Sequence, residues 1–297
     1  MKVLDQRSGR NWVLYNGDSC EVLAGIPTDS IHYSITSIPF ASLYTYSNSD
    51  RDLGNSRSYS EFEEHYQYLG REWYRVMMPG RLVSIHCMNL PAMKERDGFI
   101  GVKDFRGDVI RWMQACGFIF HSEVCIWKNP VVEMQRTKAL GLLHKQIRKD
   151  SAMSRMGIPD HIVTFRKPGV NPEPLQHTHE DYPVDHWQQV ASPVWDEYPA
   201  PVWWDINQSA TLQRKSARSD KDEKHICPLQ LPVIERCVEL WSKPNEIVLD
   251  PFDGIGSTGY QAIKMGRRHV GVELKESYFL QAVRNLESVE SEEVSQT

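Results

Sequence analysis

The stretch Asp250-Pro-Phe-Asp-Gly-Ile-Gly-Ser-Thr258 has the residue types of a turn built around a ligand. The apolar run Ile247-Val-Leu leads into it as a strand, and Thr258–Met265 continues from it as a helix. Gly254 and Gly256 let the backbone come close to a bound group, and the first turn of a helix offers unpaired N–H donors. The next strand, Arg268-His-Val-Gly-Val-Glu273, ends on an acid. In a βαβ unit such an acid can accept hydrogen bonds from ribose hydroxyls. No Lys follows the second glycine, so the turn is not a P-loop, and the third glycine of the dinucleotide fingerprint is missing. A ligand with an adenosine but no pyrophosphate fits what remains. A bare strand–helix turn would explain two glycines, but not the strand, helix and distal acid together.

A second candidate is Ser37-Ile-Pro-Phe40, which follows the strand Ile31-His-Tyr-Ser-Ile35. Alone it reads as a strand-to-loop turn closed by Pro39, with Phe40 in the core. The two stretches together resemble a known family. Asp250–Thr258 is very similar to the S-adenosylmethionine motif of the DNA amino-methyltransferases. Ser37–Phe40 resembles their catalytic tetrapeptide, (Asp/Asn/Ser)-Pro-Pro-(Tyr/Phe), with Ile38 where the family has proline. The resemblance covers about residues 1–128 and 225–285.

It implies S-adenosyl-L-methionine as cofactor, held by Asp250, Pro251, Phe252, Gly254, Gly256, Ser257, Thr258 and Glu273, with Asp18 near its adenine end. His225, in His225-Ile-Cys-Pro-Leu-Gln-Leu-Pro232, would open the helix against the methionine part. It also implies a chemistry. An exocyclic base amine is a poor nucleophile because its lone pair is delocalised into the ring. The Ser37 side chain and the Ile38 carbonyl would accept its hydrogens and draw the nitrogen toward tetrahedral geometry. Phe40 would stack on a base that has left the duplex, a contact worth about 1–3 kcal/mol. Pro39 holds Ile38 extended, but without a proline at 38 the restraint on Ser37 is lost.

The catalytic turn comes first and the cofactor loop last, which within the family marks the β group. The segment between them, 129–224, is then an inserted target-recognition segment. Double-stranded DNA and a second copy of the chain are the implied partners. The basic run carrying Arg136, Lys138, Lys145, Arg148, Lys149, Arg166 and Lys167 would neutralise phosphates. Adenine N6 is the expected target in an enzyme of the stand-alone phage or prophage type. Cytosine N4 is the alternative toward which a serine in first position leans. A non-catalytic DNA-binding protein that keeps the fold is the other alternative.

Positioning these residues requires elements that the sequence also indicates. Strands and helices alternate over 1–128 and again over 225–297. Helical spacing covers 59–78, with Ser60 as its N-cap and Met78-Pro79-Gly80 as its stop, and a second helix covers 105–116. The expectation is an α/β fold, a Rossmann-like and mostly parallel sheet with helices on both faces. Its catalytic half spans 1–128 and its cofactor-binding half 225–297. The tryptophans Trp187, Trp195, Trp203 and Trp204 are expected in a small core or dimer contact.

Composition is that of a globular protein. The 297 residues are 40% hydrophobic and 10% aromatic, and carry a formal charge of −5. Disorder and collagen-like structure are excluded, any DNA surface must be local, and no stretch is apolar enough to cross a bilayer. The six cysteines form no C-x-x-C pair, as expected of free thiols in a reducing cytoplasm. The N-terminus lacks a secretory h-region. No metal-ligand spacing is present, and no catalytic metal is expected.

Overall fold

The computed structural model describes residues 3–40, 53–56, 58–136, 144–180, 182–186, 201–212 and 228–296. Lys138, Trp187, Trp195 and His225 lie outside them. The strands in chain order are β1 (Asp5–Ser8), β2 (Trp12–Asn16), β3 (Ile31–Ser37), β4 (Met77–Met88), β5 (Leu90–Ala92), β6 (Gly101–Lys103), β7 (Ile119–Ile126), β8 (Asp160–Arg166), β9 (Val202–Trp203), β10 (Ile247–Asp250) and β11 (Arg268–Glu273). Among the described residues, nine of them form one sheet in the order β1-β2-β11-β10-β3-β4-β8-β7-β9, and β5 pairs only with β6. All but β1 and β8 run in one direction. This is the expected α/β, Rossmann-like sheet.

Central strands are buried on both sides, so successive side chains feed opposite cores. Leu249, Val83, Ile85, Val163 and Phe165 join the core under the helices Tyr59–Val76 and Phe105–Ala115. Val248, Tyr33, Ile35 and Ile162 join the core under the helix Leu231–Trp241. The long helix Glu276–Gln296 covers a third cluster with Trp12, Leu14 and Ile263. Trp203 belongs to the second core, fully buried, and Trp204 beside it is 62% exposed.

Two local expectations are corrected. The N-cap of the helix Tyr59–Val76 is Ser58, not Ser60: Ser58 is extended, and its hydroxyl accepts from the Glu61 N–H. Met78-Pro79-Gly80 does not follow the helix as a loop but opens β4. The inserted segment 129–224 also contributes to the sheet. It supplies β8, which runs antiparallel between β4 and β7, and β9 at the edge. The short apolar run Ile162-Val-Thr-Phe165 carries the signal of this strand, and the basic charge around it hides the signal.

From β3 the chain proceeds through a helix to β4 on one side, and from β10 through a helix to β11 on the other. The direction of winding therefore reverses between β10 and β3. Crevices at the carboxyl ends of strands flanking such a reversal are where α/β sheets bind ligands.

Candidate active site

The two motifs flank that reversal. Val248 and Leu249 pair with Tyr33 and Ser34 in parallel register, so Asp250 and Ser37 end neighbouring strands on one edge. The distance along the chain is bridged by side chains: Ser34 Oγ donates to the Leu249 carbonyl at 2.7 Å, and the Ser19 hydroxyl donates to the Pro251 carbonyl.

Within the glycine loop the residues divide their work. Asp250 is buried and accepts from the Phe252 N–H at 2.9 Å and the Thr258 hydroxyl at 2.7 Å. Both residues therefore hold the loop's shape. Burial, aided by the nearby Asp253 carboxylate, pushes the Asp250 carboxyl up to about 7. Asp253, which sequence reasoning passed over, lies 3.0 Å from His269 Nε2, and both side chains are fully buried. Gly256 caps the helix Ser257–Lys264 with φ +83°, and a Cβ there would meet Ala282 Cβ at 3.1 Å. Gly254 has φ +57°, and its Cβ would meet nothing closer than the Phe252 carbonyl at 4.0 Å. Gly256 thus serves helix packing, and Gly254 leaves open space.

Glu273 ends β11 beside this space. Its carboxylate accepts from the Gly254 N–H at 2.9 Å and the Lys275 N–H at 2.7 Å. Asp18 caps the helix Ser19–Leu23, accepting from Cys20 and Glu21, and Gly17 N donates to the Glu273 carbonyl at 3.1 Å. Asp18 and Glu273 are thereby brought together. Ser257 Oγ is buried, with no hydrogen-bond partner among the described residues. A cradle open at Gly254, an acid at its rim and an orphaned hydroxyl at a helix start fit a nucleoside-bearing ligand.

The Ser37 turn is built differently. Ile38 is 1% exposed and sits in the first core, which accounts for an apolar residue where the family pattern has proline. Pro39 is buried, and Phe40 is half-buried with its ring 6.2 Å from the rings of both His86 and Phe105. Ser37 Oγ lies 2.9 Å from His86 Nδ1. His86 Nε2 lies 3.2 Å from Asp160, and Asp160 lies 2.5 Å from Lys128 Nζ. Burial alone would raise the Asp160 carboxyl, but Lys128 and His86 outweigh it and hold it well below the usual carboxylate range. His86, Asp160 and Lys128 were not legible as site residues: they join Ser37 only through the pairing of β3 with β4 and of β4 with β8.

Among the described residues, the expected phosphate-binding residues fall on separate elements. Lys145, Arg148 and Lys149 are exposed on the helix His144–Asp150, and Arg136 ends the helix Pro130–Arg136. Arg166 and Lys167 lie elsewhere. Arg166 pairs with Leu82 at the start of β4, so the antiparallel run of β8 carries it to the edge opposite Ser37. There Arg166 Nε donates to the Gly80 carbonyl at 3.3 Å. Lys167 is 8% exposed, with its ammonium 2.6 Å from Asp29 and 2.9 Å from the Met77 carbonyl. Lys167 is thus committed to Asp29 and the Met77 carbonyl, and Arg166 lies at the edge opposite Ser37. At that same far edge His32, Glu173 and Glu246 come together, and Arg81 pairs with Glu246. No described helix is long and apolar enough to cross a membrane.

Comparison with known proteins agrees with this geometry. A family model described as DNA methylase, of the N6 and N4 methyltransferases, matches residues 31–284. Type II methyltransferase M.HindIII of Haemophilus influenzae is 22% identical over 92% of this chain and 94% of that protein. Type II methyltransferase M.BglII of Bacillus subtilis is 24% identical over 89% of this chain and 66% of that protein. Among solved structures, TTHA0409 of Thermus thermophilus complexed with S-adenosyl-L-methionine is 25% identical, with a TM-score of 0.66 over 93% of each chain. The cytosine-N4-specific PvuII DNA methyltransferase shares the fold, with 17% identity and a TM-score of 0.65 over 98% of this chain and 94% of that one. With the model matched across both motifs and the sheet between them, the chain belongs to the N6/N4 DNA methylase family, and it is an amino-methyltransferase.

Proposed function

We propose that the protein moves a methyl group from S-adenosyl-L-methionine to the exocyclic amine of a base flipped out of double-stranded DNA, with adenine N6 as the target. The observation that carries this reading is the placement of the Gly254 cradle and the Ser37 turn at the ends of adjacent parallel strands. The cofactor supplies an electrophilic methyl group on a sulfonium. Gly254, Ser257, Glu273 and Asp18 are the residues that would hold it, with Asp250, Thr258, Pro251, Phe252 and Gly256 keeping the loop in shape.

Ser37 and the Ile38 carbonyl accept the amine's hydrogens, and Phe40 stacks on the base. Lys145, Arg148 and Lys149 supply phosphate contacts, and the working unit is a homodimer. The free thiols of Cys20, Cys87, Cys116, Cys125 and Cys237 suit a reducing cytoplasm. Cytosine N4 is the second reading, favoured by one observation: the serine at position 37.

The test is to incubate protein, DNA and cofactor labelled in its methyl group, then digest the DNA to nucleosides. Label is expected in N6-methyladenine. Label only in N4-methylcytosine moves the target to cytosine, and unlabelled DNA removes the activity.

A further inference from the structure

Ser37 has one hydroxyl hydrogen and two lone pairs. To accept from a base amine, it must send its own hydrogen elsewhere. His86 Nδ1, at 2.9 Å, is placed to receive it, provided that nitrogen carries no hydrogen. The state of the imidazole is set from its other side. Asp160 is 2% exposed, faces Nε2 at 3.2 Å and is paired at 2.5 Å with Lys128. Among the described residues Nε2 makes no aligned hydrogen bond, so its contact with Asp160 is electrostatic: the negative charge draws the imidazole hydrogen to Nε2 and leaves Nδ1 as an acceptor. The fixed order Lys128–Asp160–His86–Ser37 therefore turns the serine lone pairs outward.

We propose that His86, held by Asp160 and Lys128, orients the Ser37 hydroxyl toward the base amine and receives the proton that methylation sets free. The proposal rests on the amine-methylating function above and adds to it a destination for the proton. Methylation leaves one surplus proton on the amine nitrogen. That N–H bond breaks as a new O–H bond forms on Ser37, while the original Ser37 O–H bond breaks and its hydrogen passes to Nδ1. Ser37 ends neutral, and His86 ends as an imidazolium beside the Asp160 carboxylate, so charge and atoms balance. His86 is a positioning residue that acts through Ser37.

Two measurements test this. Nitrogen-15 NMR of histidine-labelled protein, with His86→Asn used to assign the signal, is expected to show His86 with its hydrogen on Nε2 and a bare Nδ1. A hydrogen on Nδ1 overturns the proposal, and this readout needs neither DNA nor turnover. His86→Asn retains an oxygen acceptor near the Nδ1 position but takes up no proton. Its affinity for S-adenosyl-L-methionine is expected within about two-fold of wild type, while its single-turnover methylation rate falls about 100-fold, the scale of a lost proton acceptor. A rate within about three-fold of wild type, with the melting temperature preserved, overturns the proton-receiving role. Wild-type protein that binds cofactor but never methylates DNA sinks the function instead, and leaves the NMR result to stand or fall alone.

Discussion

Gly254 and Gly256 both sit at positive φ, yet they should fail differently when changed. Gly254→Val meets open space in the protein, so its folding cost is the left-handed backbone alone, about 1–2 kcal/mol. Its branched side chain would occupy the cradle, and calorimetry is expected to detect no S-adenosyl-L-methionine binding. Gly256→Ala drives a methyl against the helix bearing Ala282, 3.1 Å away. It should cost about 2–4 kcal/mol in urea unfolding, from strain and overpacking together. Asp250 gives a pH prediction. Its folded-state carboxyl is raised to about 7, far above its unfolded range, so the folded protein holds the extra proton between those values. Its stabilising effect is complete below the ordinary carboxylate range and is lost as pH rises through 7. Asp250→Asn, which cannot ionise, is expected to flatten the fall in melting temperature between the ordinary carboxylate range and pH 7. The glycines, Asp250 and Glu273 were legible in the sequence because the loop is contiguous. Asp253 and His269 were not, because a carboxylate inside a loop gives no sign that it will meet a ring sixteen residues on.

Among the elements, the parallel strands and the helices Tyr59–Val76 and Phe105–Ala115 were legible from apolar spacing and breakers. Strand β8 was not, because a strand run antiparallel into the sheet interrupts the strand–helix rhythm, and Arg166 and Lys167 at its end suggest solvent. Both cations instead close the far end of the sheet. At its other end β8 delivers Asp160, whose depressed carboxyl contributes stability that is present above the ordinary carboxylate range and lost as pH falls through the lowered value. Asp160→Asn leaves the largely buried Lys128 ammonium without its counter-ion. The expected cost is about 3 kcal/mol in chemical denaturation at pH 7, and Asp160→Asn with Lys128→Met should recover most of it.

Across the whole molecule, an acidic protein of net charge −5 must concentrate cations where it meets DNA. Lys145, Arg148 and Lys149 are exposed, and Lys167 is committed to Asp29. Replacing the first three by Gln should lower the slope of log affinity against log salt by about 3 in fluorescence anisotropy titrations, about 0.9 for each phosphate no longer neutralised. Lys167→Met should leave that slope unchanged and lower the melting temperature. An unchanged slope in the triple variant would move the DNA surface to another face.

The position of β10 and β11 between β2 and β3 has a consequence for synthesis on the ribosome. Strands β2 and β3 emerge early, but the two strands that separate them arrive roughly 200 residues later. At about 5–20 residues per second, the nascent chain waits tens of seconds with both apolar edges open. Edges of that kind invite pairing with other chains. Translation products cut short before Ile247 should therefore be found in inclusion bodies or on holdase chaperones, and the residues from Ile247 onward would be the part that makes the rest soluble.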